Sequence, residues 1–215
     1  MKEIVKLVVS LGLVCAIGCA ALALVNYKTA DARKDVKAKI LNDNLLMALP
    51  ADAECTFADD KTMTFEEEGK VVFHRAYDKN GKIAAVVAET SSHGFGGDIN
   101  MLVGMDMATG KISRVVVTEH KETPGLGSQA VDRKEQKSLW KFSELKEGEL
   151  PPNAFLDKSF TGKDIMVFRK VKSASPENPD EIEAVSGATY SSSGVLAGVN
   201  LACKMFLAHH DEIVK

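Results

Sequence analysis

The sequence predicts an α+β domain that follows a single N-terminal transmembrane helix. Three features of its 215 residues predict this class. Short apolar segments separated by turn-forming residues are typical of β-strands in a domain that combines a sheet with helices. Other segments have the helical periodicity expected of flanking helices. The N-terminus stands apart, because residues 7–25 contain no charged side chain.

The uncharged segment is long enough to cross a bilayer. At about 1.5 Å per residue, a helix over residues 7–25 spans about 28 Å, close to the thickness of the hydrocarbon core. An uncleaved anchor is the favoured interpretation. A cleaved signal peptide is one alternative, although no Ala-x-Ala site ends the segment. A lipoprotein signal with Cys19 as the lipid-attachment residue is another, although the apolar segment continues beyond that cysteine.

The remainder of the chain is predicted to contain a connecting helix and one folded domain. We expect an anchor at 1–27, an amphipathic connecting helix at 28–50 and the domain at 51–215. More Lys and Arg residues follow the anchor than precede it, which by the positive-inside rule places the domain in the cytoplasm. The short N-terminal tail is typical of a signal-like segment and favours the opposite orientation, so these residues alone leave the orientation open.

Each predicted element has a local signal. Val36 and Ile40, then Leu41, Leu45 and Ala48, recur at helical spacing before Pro50. The polar residues 51–70 are predicted to be turn-like. The predicted strands are 71–77, 82–89, 99–107, 111–120 and 164–171. The predicted helices are 129–142, with Trp140 near its end, and 192–210, whereas 143–163 is predicted to be irregular. The apolar residues that alternate along one strand and should face the core are Ile99, Met101, Val103, Met105 and Met107. On the last helix the core stripe is Val195, Val199, Ala202 and Phe206.

Composition excludes several classes of protein. A hydrophobic content of 45% is too high for a disordered chain, and a net charge of −3 argues against a nucleic-acid partner. Cys55 and Cys203 could form a disulfide only in an oxidising compartment. The sequence has no CxxC motif and its five histidines lack ligand-like spacing, so we expect no metal site.

A hydroxyl-rich segment at 186–194 precedes the last helix. Small residues beside Thr189 leave room for another molecule, and the helix start offers free N–H groups that suit a phosphate. The segment lacks the lysine of a Walker A motif and the paired glycines of a nucleophile elbow. A plain helix cap by Ser191 or Ser192 is the alternative. The candidate binding residues here are Ser186, Gly187, Ala188, Thr189 and Ser191.

Two glycine-containing loops supply the other candidates. In the first, a proline between polar residues and glycines predicts a tight, exposed loop with accessible backbone N–H groups. Its residues are Glu122, Thr123, Pro124, Gly125, Leu126 and Gly127. The second allows close backbone approach to a ligand, with an aromatic ring as a packing surface. Its residues are Gly94, Phe95 and Gly96. The alternatives are a connecting loop for the first and a hairpin or bulge for the second.

These three segments, in this order behind one N-terminal span, resemble the FMN-binding family that includes the G subunit of the Rnf-type electron transport complex. The C subunit of the sodium-pumping NADH:quinone reductase is similar. The resemblance covers residues 1–210 and implies an FMN attached through its phosphate to Thr189. Glu183 takes the place of the acid that precedes the family's motif, and Phe95 that of a tyrosine. The loop 122–127 matches fully and is implied to lie against the flavin.

The resemblance also implies a function. The chain would pass single electrons within a complex that couples ferredoxin and NAD redox chemistry to Na⁺ or H⁺ movement. The implied partners are the complex's other membrane and peripheral subunits and a flavin transferase for maturation. The implied location is a bacterial or archaeal cytoplasmic membrane, with the flavin domain on its outer side.

The compact length favours the Rnf-type subunit over the quinone reductase subunit. A flavin-free membrane assembly module is a further alternative. A hydrolase that pairs Ser186 or Ser191 with His93 or His120 is disfavoured, because no triad signature is present.

Overall fold

The computed structural model describes residues 2–50, 55–133 and 152–215. The chain divides into two compact units, Met1–Asp43 and Asn44–Lys215. Helix α1 runs over Lys2–Ala48. Among the described residues, the segment Val8–Ala48 and the helix Thr189–Ala208 are long and apolar enough to cross a membrane. The apolar side chains of the first are exposed, whereas the second is mostly buried in the domain.

The second unit is built on a five-stranded antiparallel sheet whose strands are adjacent in chain order. The strands are β1 (Thr56–Phe65), β2 (Val71–Tyr77), β3 (Ile83–His93), β4 (Asp98–Asp106) and β5 (Lys111–Glu119). A turn joins β2 to β3, where the Asp78 carboxylate accepts the Asn80 and Lys82 amides. The register pairs Ala88 with Val103 across β3 and β4. The α+β class predicted from the sequence is confirmed.

Six shorter or later elements complete the described domain. They are α2 (Ser128–Val131), α3 (Ala154–Ser159), β6 (Arg169–Val171), β7 (Glu181–Glu183), α4 (Thr189–Ala208) and α5 (His210–Ile213). Strands β6 and β7 form a separate parallel pair. The Asn153 side chain caps α3 by accepting the Leu156 amide, and its own amide group donates to the Asp132 carbonyl at 2.7 Å.

The core lies between α4 and one face of the sheet. The predicted alternation along β4 is confirmed, since Ile99, Met101, Val103 and Met105 are all fully buried in the main hydrophobic cluster. The predicted helical stripe of α4 faces the same cluster. Its buried members are Val195, Val199, Ala202 and Phe206. Helix α4 packs mainly against β3, which fixes where its first turn lies relative to the strand ends.

The other face of the sheet is covered by residues that end α1. The Ala48 carbonyl accepts the Ser113 hydroxyl at 2.7 Å and lies against Gly104, where a side chain would collide with it. Arg114 donates to the Met47 carbonyl at 3.2 Å. The carbonyls of the last two helical residues, which lack intrahelical partners, are therefore satisfied by β5.

Several boundaries differ from the predictions. Residues 51–70 are not turn-like throughout, because Thr56–Phe65 is a strand. Its polar sequence hides the alternation, and its pairing with β2 is interrupted by an irregularity between Phe57 and Thr62. The predicted strand at 164–171 shrinks to Arg169–Val171, and a helix at Ala154–Ser159 lies in the segment predicted to be irregular.

The helix predicted at 129–142 also differs from the structure. Within the described residues it is one turn, Ser128–Val131. The rest of that prediction, including Trp140, lies outside the described residues.

Candidate functional site

The three segments singled out in the sequence meet around one pocket of about 320 Å³. Because β3 and β5 both run antiparallel to β4, the loops that follow them leave the sheet at the same end of the strands. The first turn of α4 completes the wall. The lining residues are Phe95, Thr123, Leu126, Gly127, Gly187, Ala188, Thr189, Tyr190 and Ser191. The volume is at the lower end of the range for small-molecule sites, which start at about 300 Å³.

A buried carboxylate joins the three segments behind this wall. Glu122 is only 6% exposed. One of its oxygens, Oε1, accepts the Gly96 backbone N–H at 3.1 Å, and Oε2 accepts the Ser191 hydroxyl at 2.5 Å. One side chain in the second loop thus holds both the glycine loop and the start of α4.

Glycine at position 127 is required by close approach. Its backbone is right-handed helical, a conformation open to any residue. A Cβ placed there would overlap the Glu122 carboxylate and lie 2.5 Å from the Ser191 oxygen. A side chain at this position would therefore push the carboxylate and hydroxyl apart.

The three serine hydroxyls that follow Thr189 are already engaged. Ser191 donates to Glu122, and the Ser192 oxygen accepts the Val185 amide at 3.0 Å. Ser193 donates to the Thr189 carbonyl at 2.7 Å and accepts Lys170 Nζ at 2.7 Å. Thr189 itself is exposed and lines the pocket.

The first turn of α4 is open at its N-terminus. The residue before it is Ala188, and within the described chain no side chain caps it. The alternative of a plain cap by Ser191 or Ser192 is therefore wrong, because both lie inside the helix with their hydroxyls used elsewhere. The helix also begins at Thr189 rather than at the predicted Ser192. Backbone N–H groups at a helix start favour an anion such as a phosphate.

Exposed apolar side chains surround the opening. Phe95 is 71% exposed, Tyr190 74% and Leu126 56%. The Phe95 and Tyr190 ring centroids lie 6.1 Å apart at 52°. Solvent exposure of large apolar side chains beside a concave site is a common mark of a ligand or partner surface. Tyr190 was not among the predicted site residues, although its position next to Thr189 was the signal that could have identified it.

His120 holds the start of the second loop, residues 122–127, through a hydrogen bond to its backbone. The Glu122 backbone N–H donates to His120 Nδ1 at 3.2 Å, so Nε2 carries the ring hydrogen and donates to Asp132 at 2.6 Å. Further along the loop, Gly125 N–H donates to the Ser128 hydroxyl at 2.9 Å. These contacts hold both ends of the loop, and neither was predicted from the sequence.

The predicted residues divide between the pocket surface and its support. Eight line the pocket: Phe95, Thr123, Leu126, Gly127, Gly187, Ala188, Thr189 and Ser191. Six do not: Glu122, Pro124, Gly125, Gly94, Gly96 and Ser186. Glu122 and Gly96 contribute through their hydrogen bond, and Gly94 would overlap the same carboxylate if it carried a side chain. Glu183 is exposed at the end of β7.

Comparison with known proteins agrees with this geometry. A family model described as FMN-binding domain matches residues 94–204. The G subunit of the Na⁺-translocating ferredoxin:NAD⁺ oxidoreductase complex of Acetobacterium woodii is 27% identical, over 95% of this chain and 92% of that protein. The G subunit of the ion-translocating oxidoreductase complex of Methanosarcina acetivorans is 25% identical, over 94% of this chain and 93% of that protein.

A similar solved structure is the crystal structure of Shewanella oneidensis NqrC, with 25% identity and a TM-score of 0.44 over 73% of this chain and 70% of that chain. The family match is the stronger result, because it spans more than half of the chain and contains all three pocket-forming segments. The chain therefore belongs to the FMN-binding domain family.

Proposed function

We propose that this chain is the membrane-anchored electron carrier subunit of an Rnf-type ferredoxin:NAD ion-translocating oxidoreductase, with FMN bound by a phosphoester to Thr189. The observation that carries the proposal is the exposed Thr189 at the wall of a pocket formed by all three motif segments. The similarity to the G subunits of two oxidoreductase complexes, one named as Na⁺-translocating ferredoxin:NAD⁺ and the other as ion-translocating, covers nearly the full length of each and supports this assignment.

The neighbouring hydroxyls support Thr189 as the attachment residue. Ser191 and Ser192 are buried and engaged, and Ser193 is held by the Thr189 carbonyl and Lys170. Ser186 is exposed but does not line the pocket. Of the aliphatic hydroxyls in this segment, the one on Thr189 therefore combines exposure with a place in the pocket.

Attachment requires an activated FMN donor, that is, a flavin dinucleotide in which the FMN phosphate is part of an anhydride. The Thr189 oxygen forms a bond to phosphorus while the anhydride P–O bond breaks. A nucleoside monophosphate leaves with the bridging oxygen, and the hydroxyl proton passes to a base of the transferase. No electron is transferred in this step.

The pocket residues fit a flavin nucleotide. The open start of α4 can hold the phosphate through backbone N–H groups, and the apolar rim of Phe95, Leu126 and Tyr190 can pack against a planar ring. The bound FMN would supply the electron-transfer chemistry, whereas the chain binds it, orients it and shields one side from water. A covalent link prevents loss of the cofactor from a domain that faces the cell exterior.

The membrane assignment rests on the uncharged segment of α1 and on the similarity to subunits of ion-translocating complexes. We propose a single-pass anchor in a bacterial or archaeal cytoplasmic membrane with the flavin domain on its outer face. The other subunits of the complex would be its electron-transfer partners. Protease added to intact spheroplasts should digest the flavin domain if this orientation is right, and should spare it if the domain is cytoplasmic.

Intact mass tests the covalent link. The full chain is co-expressed with a flavin transferase, and its mass is compared with that of Thr189→Ala. We expect one added FMN, less one water, in the wild type and none in the variant. Thr161→Ala, at an exposed threonine outside the three pocket-forming segments, is the matched control and should be flavinylated normally. An unmodified wild type in the presence of an active transferase would refute covalent attachment. Modification mapped to another residue would refute the role of Thr189.

A further inference from the structure

We infer that Glu122 is the positioning residue of the site, holding the glycine loop and the attachment segment in the geometry that FMN attachment requires. The inference deepens the proposed function and rests on it. It concerns a residue that does not line the pocket, so it is distinct from the residues that would touch the cofactor.

The first observation is that the two carboxylate oxygens serve different segments. Oε1 binds a backbone N–H that lies 26 residues earlier in the chain, and Oε2 binds a hydroxyl 69 residues later. Ser191 is the second residue after Thr189, so the second contact anchors the helical turn that carries the attachment hydroxyl. A single carboxylate thereby links all three segments that form the pocket.

The second observation is that the backbone leaves space for this carboxylate. A Cβ at Gly94 would overlap Oε1, and one at Gly127 would overlap Oε2. Neither glycine has a positive φ angle, so backbone conformation does not require glycine at either position. A side chain at Gly94 would also meet Ile99, and one at Gly127 would also meet Ser191, so both glycines leave room for Glu122 and for one neighbour of it.

The third observation is the cost of the arrangement. Within the described residues, the partners of the Glu122 carboxylate are two neutral donors, at a position that is 6% exposed. Burial of a carboxylate is unfavourable unless hydrogen bonds compensate for lost water. An apolar residue would fill the same space at lower cost, which indicates that the carboxylate serves the geometry of the site rather than the stability of the core.

The backbone of Glu122 is restrained as well. Its N–H donates to His120, which is itself oriented by Asp132. The carboxylate is therefore presented from a fixed backbone position, and its negative charge lies directly behind Gly127 of the pocket wall. A charge at that place disfavours adding an electron to a group in the pocket.

The test compares Glu122→Ala, Glu122→Gln and Ser191→Ala in the full chain, with Glu119→Ala as the control. Glu119 is an exposed glutamate at the end of β5. Gln keeps both contacts, because its oxygen can accept from Gly96 and its amide can donate to the Ser191 oxygen. The glutamine lacks the negative charge of the Glu122 carboxylate. The readouts are amide exchange of peptides covering 94–97 and 186–194 before FMN attachment, the rate of attachment, and the midpoint potential of attached FMN.

We expect faster amide exchange in both peptides and attachment slowed about ten-fold or more in Glu122→Ala, since a hydrogen bond to a charged group contributes enough for a change of that size. Ser191→Ala should speed amide exchange only in the peptide that covers residues 186–194. Glu122→Gln should attach FMN at close to the wild-type rate but with a more positive midpoint potential. Glu119→Ala should match the wild type throughout.

Two results would overturn the inference. One is wild-type exchange and attachment in Glu122→Ala. The other is Glu122→Gln behaving like Glu122→Ala in attachment while keeping the wild-type midpoint potential. If Glu122→Ala does not fold, Ser191→Ala and Glu122→Gln carry the test. A wild type that takes no FMN would refute the proposed function, and the exchange measurements would still decide the role of Glu122.

Discussion

The Gly127→Ala substitution should destabilise the domain even though its backbone is helical. At an ordinary helical position this change stabilises by about 0.5–1 kcal/mol. Here the new methyl group would overlap Glu122 and lie 2.5 Å from the Ser191 oxygen. Overpacking costs about 1–3 kcal/mol. Loss of the Glu122–Ser191 hydrogen bond costs about 1.5–3 kcal/mol more. We therefore expect a net loss of about 2–5 kcal/mol in the free energy of unfolding.

Urea unfolding of the full chain in detergent measures this change. Gly125→Asn is the matched control, because that glycine has φ +79° with open space around it, and asparagine tolerates the left-handed conformation. The control should lose less than about 1 kcal/mol. A Gly127→Ala protein as stable as the wild type would show that the carboxylate and hydroxyl can separate without cost. The close packing argued for this wall would then be wrong.

Two further predictions concern residues away from the pocket. Burial raises the pKa of the Cys203 thiol to about 12, and burial together with the nearby Asp78 and Asp106 also raises the pKa of the partly exposed Cys55 thiol. Iodoacetamide at pH 8 should therefore label Cys55 slowly in the folded protein and Cys203 only after unfolding, as read by peptide mass spectrometry. Labelling of folded Cys203 would contradict its burial. The hydrogen bond from His74 lowers the pKa of Glu89, so its stabilising effect is present above the unfolded-state value of about 4.3 and is lost as pH falls through the folded-state value. Thermal unfolding should therefore show the wild type losing more stability than Glu89→Gln as the pH is lowered below that value, and equal losses would count against the contact.

Local sequence signals predicted the centre of the sheet well. Strands β2 to β5 combine apolar alternation with turn residues between them, and both signals are properties of a few neighbouring residues. The buried residues Met101 and Met105 were placed on the correct face for the same reason. Strand β1 was missed because its stability comes from pairing with β2, which the polar sequence around Asp59 does not reveal.

The three segments that form the pocket were singled out from the sequence, but the contacts between them were not predicted. The glycine and hydroxyl content of three segments singled out eight of the residues that line the pocket, and the family resemblance supplied the hypothesis that FMN is attached to Thr189. No local pattern distinguished Glu122 as a buried link from Thr123 as a lining residue. That difference depends on contacts across 26 and 69 residues, which a single sequence does not display.

Strand direction accounts for two of the three walls. In an antiparallel sheet whose neighbouring strands follow chain order, alternate strands run in the same direction. The loops after β3 and β5 must therefore emerge at the same end of the sheet. The third wall is the first turn of α4, and its position depends on tertiary contacts between this helix and the sheet. Ser92 donates to the Gly194 carbonyl at 2.6 Å, and a Cβ at Gly194 would lie 2.8 Å from the His93 carbonyl. The absence of a side chain at 194 lets α4 lie directly on the end of β3. That contact places Thr189, at the start of the same helix, beside the end of the sheet where the two loops emerge.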